Sequence, residues 1–177
     1  GYVYQQNCIS TISDINNDGF GDVIIGTTGG SVSIIALSGK TGQQLWQHDT
    51  HEYGDGGWVY QVDIRFDYNS DGFPDVLAAT GDDGNDTGPL RVYCLNGLNG
   101  ISIWERPTGG AVFSVIGVED FTGDSQPDVV AGTTNLAETA GRVIGIDGSD
   151  GSVEWTYNTT GSSVWGLMQL DDITGDN

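Results

Sequence analysis

The sequence predicts an all-β protein built of repeated four-stranded antiparallel sheets, on three observations. Apolar residues fall in short alternating runs bounded by Gly, Asn and Asp, with 29 Gly and only 4 Pro among 177 residues. An acidic loop recurs at a nearly constant interval. A turn ending in Trp follows each complete loop. Alternation in short pieces is strand chemistry, and no segment carries a convincing helical period.

The acidic loop first reads DINNDGFGDV (14–23), then DYNSDGFPDV (67–76) and DFTGDSQPDV (120–129), with DITGDN at 172–177. Its starts are 53, 53 and 52 residues apart. An apolar pair precedes each loop: Val3-Tyr4, Val59-Tyr60, Val112-Phe113 and Val164-Trp165. The turns are ALSGKTGQQLW (36–46), CLNGLNGISIW (94–104) and GIDGSDGSVEW (145–155). In the second unit WVYQVDI leads into the acidic loop, DVLAAT follows it, and LRVYCL and ISIW flank the NGLNG turn.

Each unit is thus predicted to hold four strands, with units at 1–56, 57–109 and 110–161 and the start of a fourth at 162–177. Four-stranded sheets repeating at about 50 residues are β-propeller blades. A solenoid of stacked β units is the structural alternative. Three blades and the first strand of a fourth do not close a ring, so part of a longer propeller is expected.

The charge is −20, from 25 acidic and 5 basic residues. Such a surface repels nucleic acid and anionic membrane, which excludes both as direct partners. The charge is also uneven: 11 of the 25 acids lie in the four acidic loops. Oxygen-bearing side chains at alternate positions, with Gly after the third, suggest a chain coiled around a hard cation. The alternative is an Asp/Asn-rich turn without metal. No apolar run approaches the roughly 20 residues that span a bilayer. The opening GYVYQQNC shows no signal peptide, and a mature or trimmed start is expected. Cys8 and Cys94 have no metal-binding spacing; buried thiols or a disulfide are both open.

These motifs resemble two propeller families. The acidic loops are similar to the calcium loops of FG-GAP repeats, known from integrin α-subunit propellers. The Ala-x-x-x-x-Thr-Gly-x-x-x-Trp stretch of the first unit resembles the tryptophan-docking motif of PQQ-type quinoprotein propellers. NGLNG and GSDGS keep the glycines but replace Thr41 with Asn99 and Asp150. The resemblance implies calcium bound at the first, third, fifth and ninth loop positions, with a backbone carbonyl at the seventh. The first set is Asp14, Asn16, Asp18, the Phe20 carbonyl and Asp22, and the second is Asp67, Asn69, Asp71, the Phe73 carbonyl and Asp75. The third is Asp120, Thr122, Asp124, the Gln126 carbonyl and Asp128. Asp172, Thr174 and Asp176 begin a fourth that lacks its ninth position and is expected to bind poorly. About three Ca²⁺ ions are therefore expected. An EF-hand would need a bidentate Glu at position twelve and flanking helices, and the loops have neither.

Other constellations carry less. His48, His51 and Glu52 in HDTHEYGDGG (48–57) could ligate a transition metal, against the plainer reading of a solvated loop between blades. Asp82, Asp83 and Asp86 in GDDGNDTG (81–88) could form another calcium site, against the plainer reading of an ordinary flexible loop. Trp46, Trp104 and Trp155 invite sugar stacking, but their periodic placement indicates core or blade-interface packing. No quinone cofactor (PQQ) is expected, since no adjacent Cys pair is present and no carboxylate set stands outside the repeats. No nucleophile–base pair or glycosidase-like carboxylate pair is visible, so the chain reads as non-catalytic. Asn85 and Asn158 match the glycosylation pattern.

The sequence therefore indicates an extracellular or cell-surface, calcium-stabilised propeller that acts as a protein-binding, adhesion or structural module. A protein or glycan ligand is expected on the face opposite the calcium loops, at 48–57, 81–89 and 133–141, because recognition needs variation on a rigid scaffold. Further blades are the other expected partners. The alternative is a catalytic propeller, quinoprotein-like or carbohydrate-active, with its active site outside this segment.

Overall fold

The structure, a computed structural model, describes residues 6–29, 33–53, 57–81, 88–135 and 139–170. Val3-Tyr4, the acids of the 82–86 stretch with Asn85, and the 172–177 loop lie outside the described residues. Within the described residues, twelve strands form three four-stranded antiparallel sheets. The first holds β1 (Ile9–Ile12), β2 (Asp22–Gly26), β3 (Ser33–Leu37) and β4 (Gln44–Asp49). The second holds β5 (Trp58–Asp63), β6 (Val76–Gly81), β7 (Arg91–Leu95) and β8 (Ser102–Pro107). The third holds β9 (Ala111–Val118), β10 (Asp128–Thr134), β11 (Ala140–Ile146) and β12 (Val153–Thr160). Strand order is sequential in every sheet, as in a propeller blade.

Each acidic loop joins the first and second strands of its sheet, and each Gly-rich turn joins the third and fourth. The only helical segments among the described residues are single 3₁₀ turns at Gln6–Cys8 and Thr50–Tyr53. No helix of the described residues is long and apolar enough to cross a membrane. The stretches read as variable loops overlap strand ends. His48 pairs with Ile34 in β3 and Thr133 with Val112 in β9, so the ladders run on into these stretches.

The core lies between the sheets. Ile12, Ile24, Ile34, Ala36 and Trp46 of the first sheet pack against Val59, Val62, Val76, Ala78, Tyr93 and Leu95 of the second. Leu77, Ala79, Val92, Cys94 and Trp104 turn the other way, against Val112, Val115, Val129, Ala131, Ile144 and Ile146 of the third. Alternate residues of β6 and β7 thus serve opposite interfaces. A sheet covered on both faces needs a continuous apolar run, and all six residues of β6 are buried. Both cysteines are buried and neither forms a disulfide, and the Cys8 thiol donates to the Tyr60 carbonyl at 2.9 Å.

Tryptophan fastens one blade to the next. Trp46 Nε1–H donates to the Gly97 carbonyl of the second sheet's turn at 2.9 Å, and Trp104 Nε1–H to Gly148 of the third at 2.7 Å. A register shift sits at the same place in each outer hairpin, after Ala36, Cys94 and Gly145. Each of these small residues is the cross-strand partner of the Trp. The extra residue of the bulge re-aims the indole towards the neighbouring blade.

The turn receives it tightly. A Cβ on Gly100 would lie 2.5 Å from the Trp46 ring, and one on Gly97 would lie 2.0 Å from the Pro74 carbonyl oxygen. Gly39 and Gly148 repeat that second approach, each at 1.9 Å from the carbonyl of Gly21 or Pro127.

Substitution tests this packing. Trp104→Phe is expected to lower unfolding stability by about 1–3 kcal/mol, since it leaves the buried Gly148 carbonyl without its donor. Gly97→Ala should cost about 3 kcal/mol through backbone overlap. Trp155, 42% exposed, should tolerate Phe within about 0.5 kcal/mol. Urea unfolding of the three variants measures the order.

Candidate metal-binding loops

The acidic loops share one architecture, set by side chains that accept hydrogen bonds from their own backbone. In the first loop the Asp18 N–H points at both Asp14 Oδ1 and Asn16 Oδ1, at 3.1 and 2.9 Å. Asp71 N–H does the same with Asp67 Oδ1 and Asn69 Oδ1, at 3.2 and 2.9 Å. Oxygens of the first and third positions therefore converge. The ninth position joins them: Asn16 Nδ2 lies 3.5 Å from Asp22 Oδ1, and Asn69 Nδ2 lies 3.4 Å from Asp75 Oδ1. In the third loop Thr122 Oγ1 stands 3.2 Å from Asp120 Oδ1 and 3.5 Å from Asp128 Oδ1.

The fifth-position carboxylates accept the N–H of the seventh residue, Asp18 from Phe20, Asp71 from Phe73 and Asp124 from Gln126, at 3.1, 2.9 and 2.8 Å. Asp18 and Asp71 are also tied to the Gly-rich turn, by Ser38 Oγ at 3.1 Å and Asn96 Nδ2 at 2.5 Å. The equivalent turn residue in the third blade is Asp147, whose carboxylate has no proton to give. It accepts from Ser149 instead, through the backbone N–H at 2.8 Å and the hydroxyl at 2.6 Å. Loop three is thus less tightly bound to its turn.

Two loop positions take a left-handed backbone. The fourth residue is Asn17 or Ser70 (φ 60°) and the sixth is Gly19 or Gly72 (φ 89° and 90°). The third loop exchanges the roles: Gly123 stands fourth (φ 88°) and Ser125 sixth (φ 70°). Replacement of the expected glycine by Ser125 leaves the turn intact.

The ninth-position carboxylates do more than line the loop. Asp22, Asp75 and Asp128 are fully buried. Asp75 Oδ2 accepts the N–H of Tyr68 at 2.8 Å and of Asn69 at 3.2 Å, while Oδ1 accepts the Gly97 N–H at 3.0 Å. Asp22 takes Ile15 and Gly39, and Asp128 takes Phe121, Thr122 and Gly148. Each carboxylate clasps the acidic loop to the turn beside it, a role that ligand spacing alone did not reveal.

Burial pushes Asp75 up to about 6, against the N–H groups of Gly97, Tyr68 and Asn69, which lower it. Asp14 goes the other way: desolvation raises it, but the N–H groups of Gly19, Asp18, Asn17 and Asn16 outweigh that. The N–H groups of Gly123 and Ser125 hold Asp120 below the usual carboxylate range. What the three loops offer chemically is a converging set of hard oxygen donors.

A family model described as outer membrane protein assembly factor BamB, of the PQQ repeat type, matches residues 29–172. The chain belongs to this family. Among solved structures it is similar to BamB from Moraxella catarrhalis, at 14% identity and a TM-score of 0.54. The likeness covers 94% of this chain and 40% of that one, and it concerns the fold. No protein of curated function matches. The PQQ-type side of the sequence resemblance is thereby established.

On the opposite face, the BamB-family fold separates the two histidines. His51 turns to Asp49, with Nδ1 3.1 Å from Oδ1, while His48 and Glu52 meet Glu105 of β8. Glu105 was not legible as a candidate because it lies 53 residues beyond Glu52 on the next blade.

The clasp can be separated from the loop donors by mutation in the presence of chelator. Asp75→Ala strands the N–H groups of Tyr68, Asn69 and Gly97 and should cost about 3 kcal/mol or more. Asp67→Ala frees only N–H groups on the exposed loop and should cost about 1 kcal/mol. Equal losses in denaturant unfolding would show that the clasp is incidental.

Proposed function

We propose that this BamB-family chain is a calcium-stabilised propeller module that binds a partner outside the cytoplasm. The observation that carries the reading is the threefold recurrence of one pre-folded oxygen set at the same blade position. Asp14, Asn16, Asp18, the Phe20 carbonyl and Asp22 would hold the first ion. Asp67, Asn69, Asp71, the Phe73 carbonyl and Asp75 would hold the second, and Asp120, Thr122, Asp124, the Gln126 carbonyl and Asp128 the third. Asp172, Thr174 and Asp176 would contribute to a fourth. This is the FG-GAP-like side of the chain, added to a PQQ-type frame.

The raised Asp75 supports the reading. A buried carboxylate among neutral donors gains most from a cation beside it, which offsets its desolvation. Three carboxylates and one neutral side chain suit millimolar calcium, where extracellular modules bind at roughly 10⁻⁴ to 10⁻³ M. The family description as an outer membrane protein assembly factor supports a non-cytoplasmic setting and a protein as the partner, ahead of a glycan. The partner surface is assigned to the face opposite the loops, formed by the connections within 50–57, 82–90 and 135–139. Further propeller blades would adjoin the module at its ends.

Chelation tests the metal. At calcium 100-fold above Kd each site should add about 2.7 kcal/mol. That corresponds to roughly 5–10 °C in Tm per site for a chain of this size. Asp18→Ala and Asp71→Ala should each remove one ion from the titrated stoichiometry. A melting curve unmoved by excess chelator would reject structural calcium.

Loop exchange tests the surface. Short Gly/Ser turns in place of 50–57 and 82–89 should abolish partner binding and leave calcium-dependent stability intact. Binding that survives this exchange but is lost on altering the folded calcium loops would reverse the faces.

A further inference from the structure

Between the first two blades, away from the acidic loops, three ligand-type side chains come together. One ligand atom each of His48, Glu52 and Glu105 lies within 4.8 Å of the others. They come from three elements: His48 from β4, Glu52 from the 3₁₀ turn after it, and Glu105 from β8 of the next blade. Their surroundings hold them in place. Glu105 Oε2 accepts from Arg91 Nη1 at 3.0 Å and from the Tyr53 hydroxyl at 2.7 Å. The Arg91 guanidinium in turn lies 3.3 Å over the Tyr53 ring.

Two buried polar atoms beside this cluster have no partner among the described residues. His48 Nδ1 stands 3.1 Å from the Gly100 carbonyl, which assigns it the proton and leaves Nε2 as a bare lone pair. That Nε2 is buried and unpaired. The Tyr93 hydroxyl is the second orphan, on a side chain with no exposed surface. Its ring meets His48 edge-on at 5.1 Å. A buried polar atom without a partner is costly, and the unpaired His48 Nε2 on a side chain that meets two carboxylates points to a ligand there.

We propose that His48, Glu52 and Glu105 form a binding site for a divalent transition cation of the zinc class, which bridges the first and second blades. Imidazole nitrogen with two carboxylates is a borderline donor set that suits zinc and is distinct from the all-oxygen calcium loops. The Gly100 carbonyl fixes the His48 tautomer, one of the outer-shell acceptors that orient metal-bound histidines. Three protein ligands leave one position for water, and Tyr93 is the group that would hydrogen-bond that water.

The test is zinc titration of the full chain in excess calcium, with bound metal counted by atomic emission and His48 followed by ¹⁵N NMR. One zinc per chain is expected, with the Nε2 resonance shifted and the Nδ1 proton retained. His48→Gln and Glu105→Gln should each weaken binding by about 100-fold or more, exceeding the usual loss for an outer-shell group. Because Glu105 also holds Arg91, Glu52→Gln on the exposed turn provides a variant that leaves the fold alone. Tyr93→Phe should keep the stoichiometry and weaken binding about tenfold, and His51→Gln should change nothing. Failure of the wild-type chain to retain one zinc, or equal retention by folded His48→Gln or Glu52→Gln, overturns the proposal.

Discussion

In the second and third blades the glycine at the head of the outer turn joins two systems of hydrogen bonds through a single peptide residue. Gly97 gives its N–H to Asp75 of its own blade and accepts the Trp46 indole N–H from the blade before it. Gly148 repeats this with Asp128 and Trp104. Everything else in the blade stack is arranged around this point. The buried carboxylate fixes the turn, the fixed turn presents a carbonyl, and the carbonyl fixes the neighbouring indole. An apolar side chain at the ninth position would lose the N–H contacts of loop and turn and loosen the hold on the indole of the blade before it.

This arrangement places organisation of the acidic loop upstream of blade-to-blade packing. Loop, turn and interface are successive links, so order in one hairpin is transmitted sideways as well as along its own sheet. The middle sheet takes part twice, since β6 and β7 send alternate side chains to opposite neighbours. All six residues of β6 are buried, so a misfit in that strand has no solvent-facing side on which to be shed.

The sheet count, strand order and position of the acidic loops were legible because the repeat is strong and its period exceeds any turn. DVLAAT reads as a buried strand from composition alone, and the Trp spacing pointed to an interface rather than a sugar platform. Other features depended on distances that a one-dimensional pattern does not contain. The clasp role of Asp75 needs the approach of Gly97, 22 residues further on. The exchange of glycine between positions four and six in the third loop needs backbone angles. Glu105 needs the packing of one blade on another. His48 was read as part of a polar loop because its neighbours are polar, yet it sits in β4 with its ring turned onto Tyr93.

The uneven exposure of the five tryptophans gives the molecule built-in optical reporters. Trp46 and Trp104 are buried, each donating to a carbonyl at a blade interface, whereas Trp155 and Trp165 are 42% and 53% exposed. A water-soluble quencher reaches the second pair and not the first. Residual emission under quenching then comes from these two and from the half-buried Trp58, so in a Trp58→Phe variant it follows the separation of adjacent blades without any attached label.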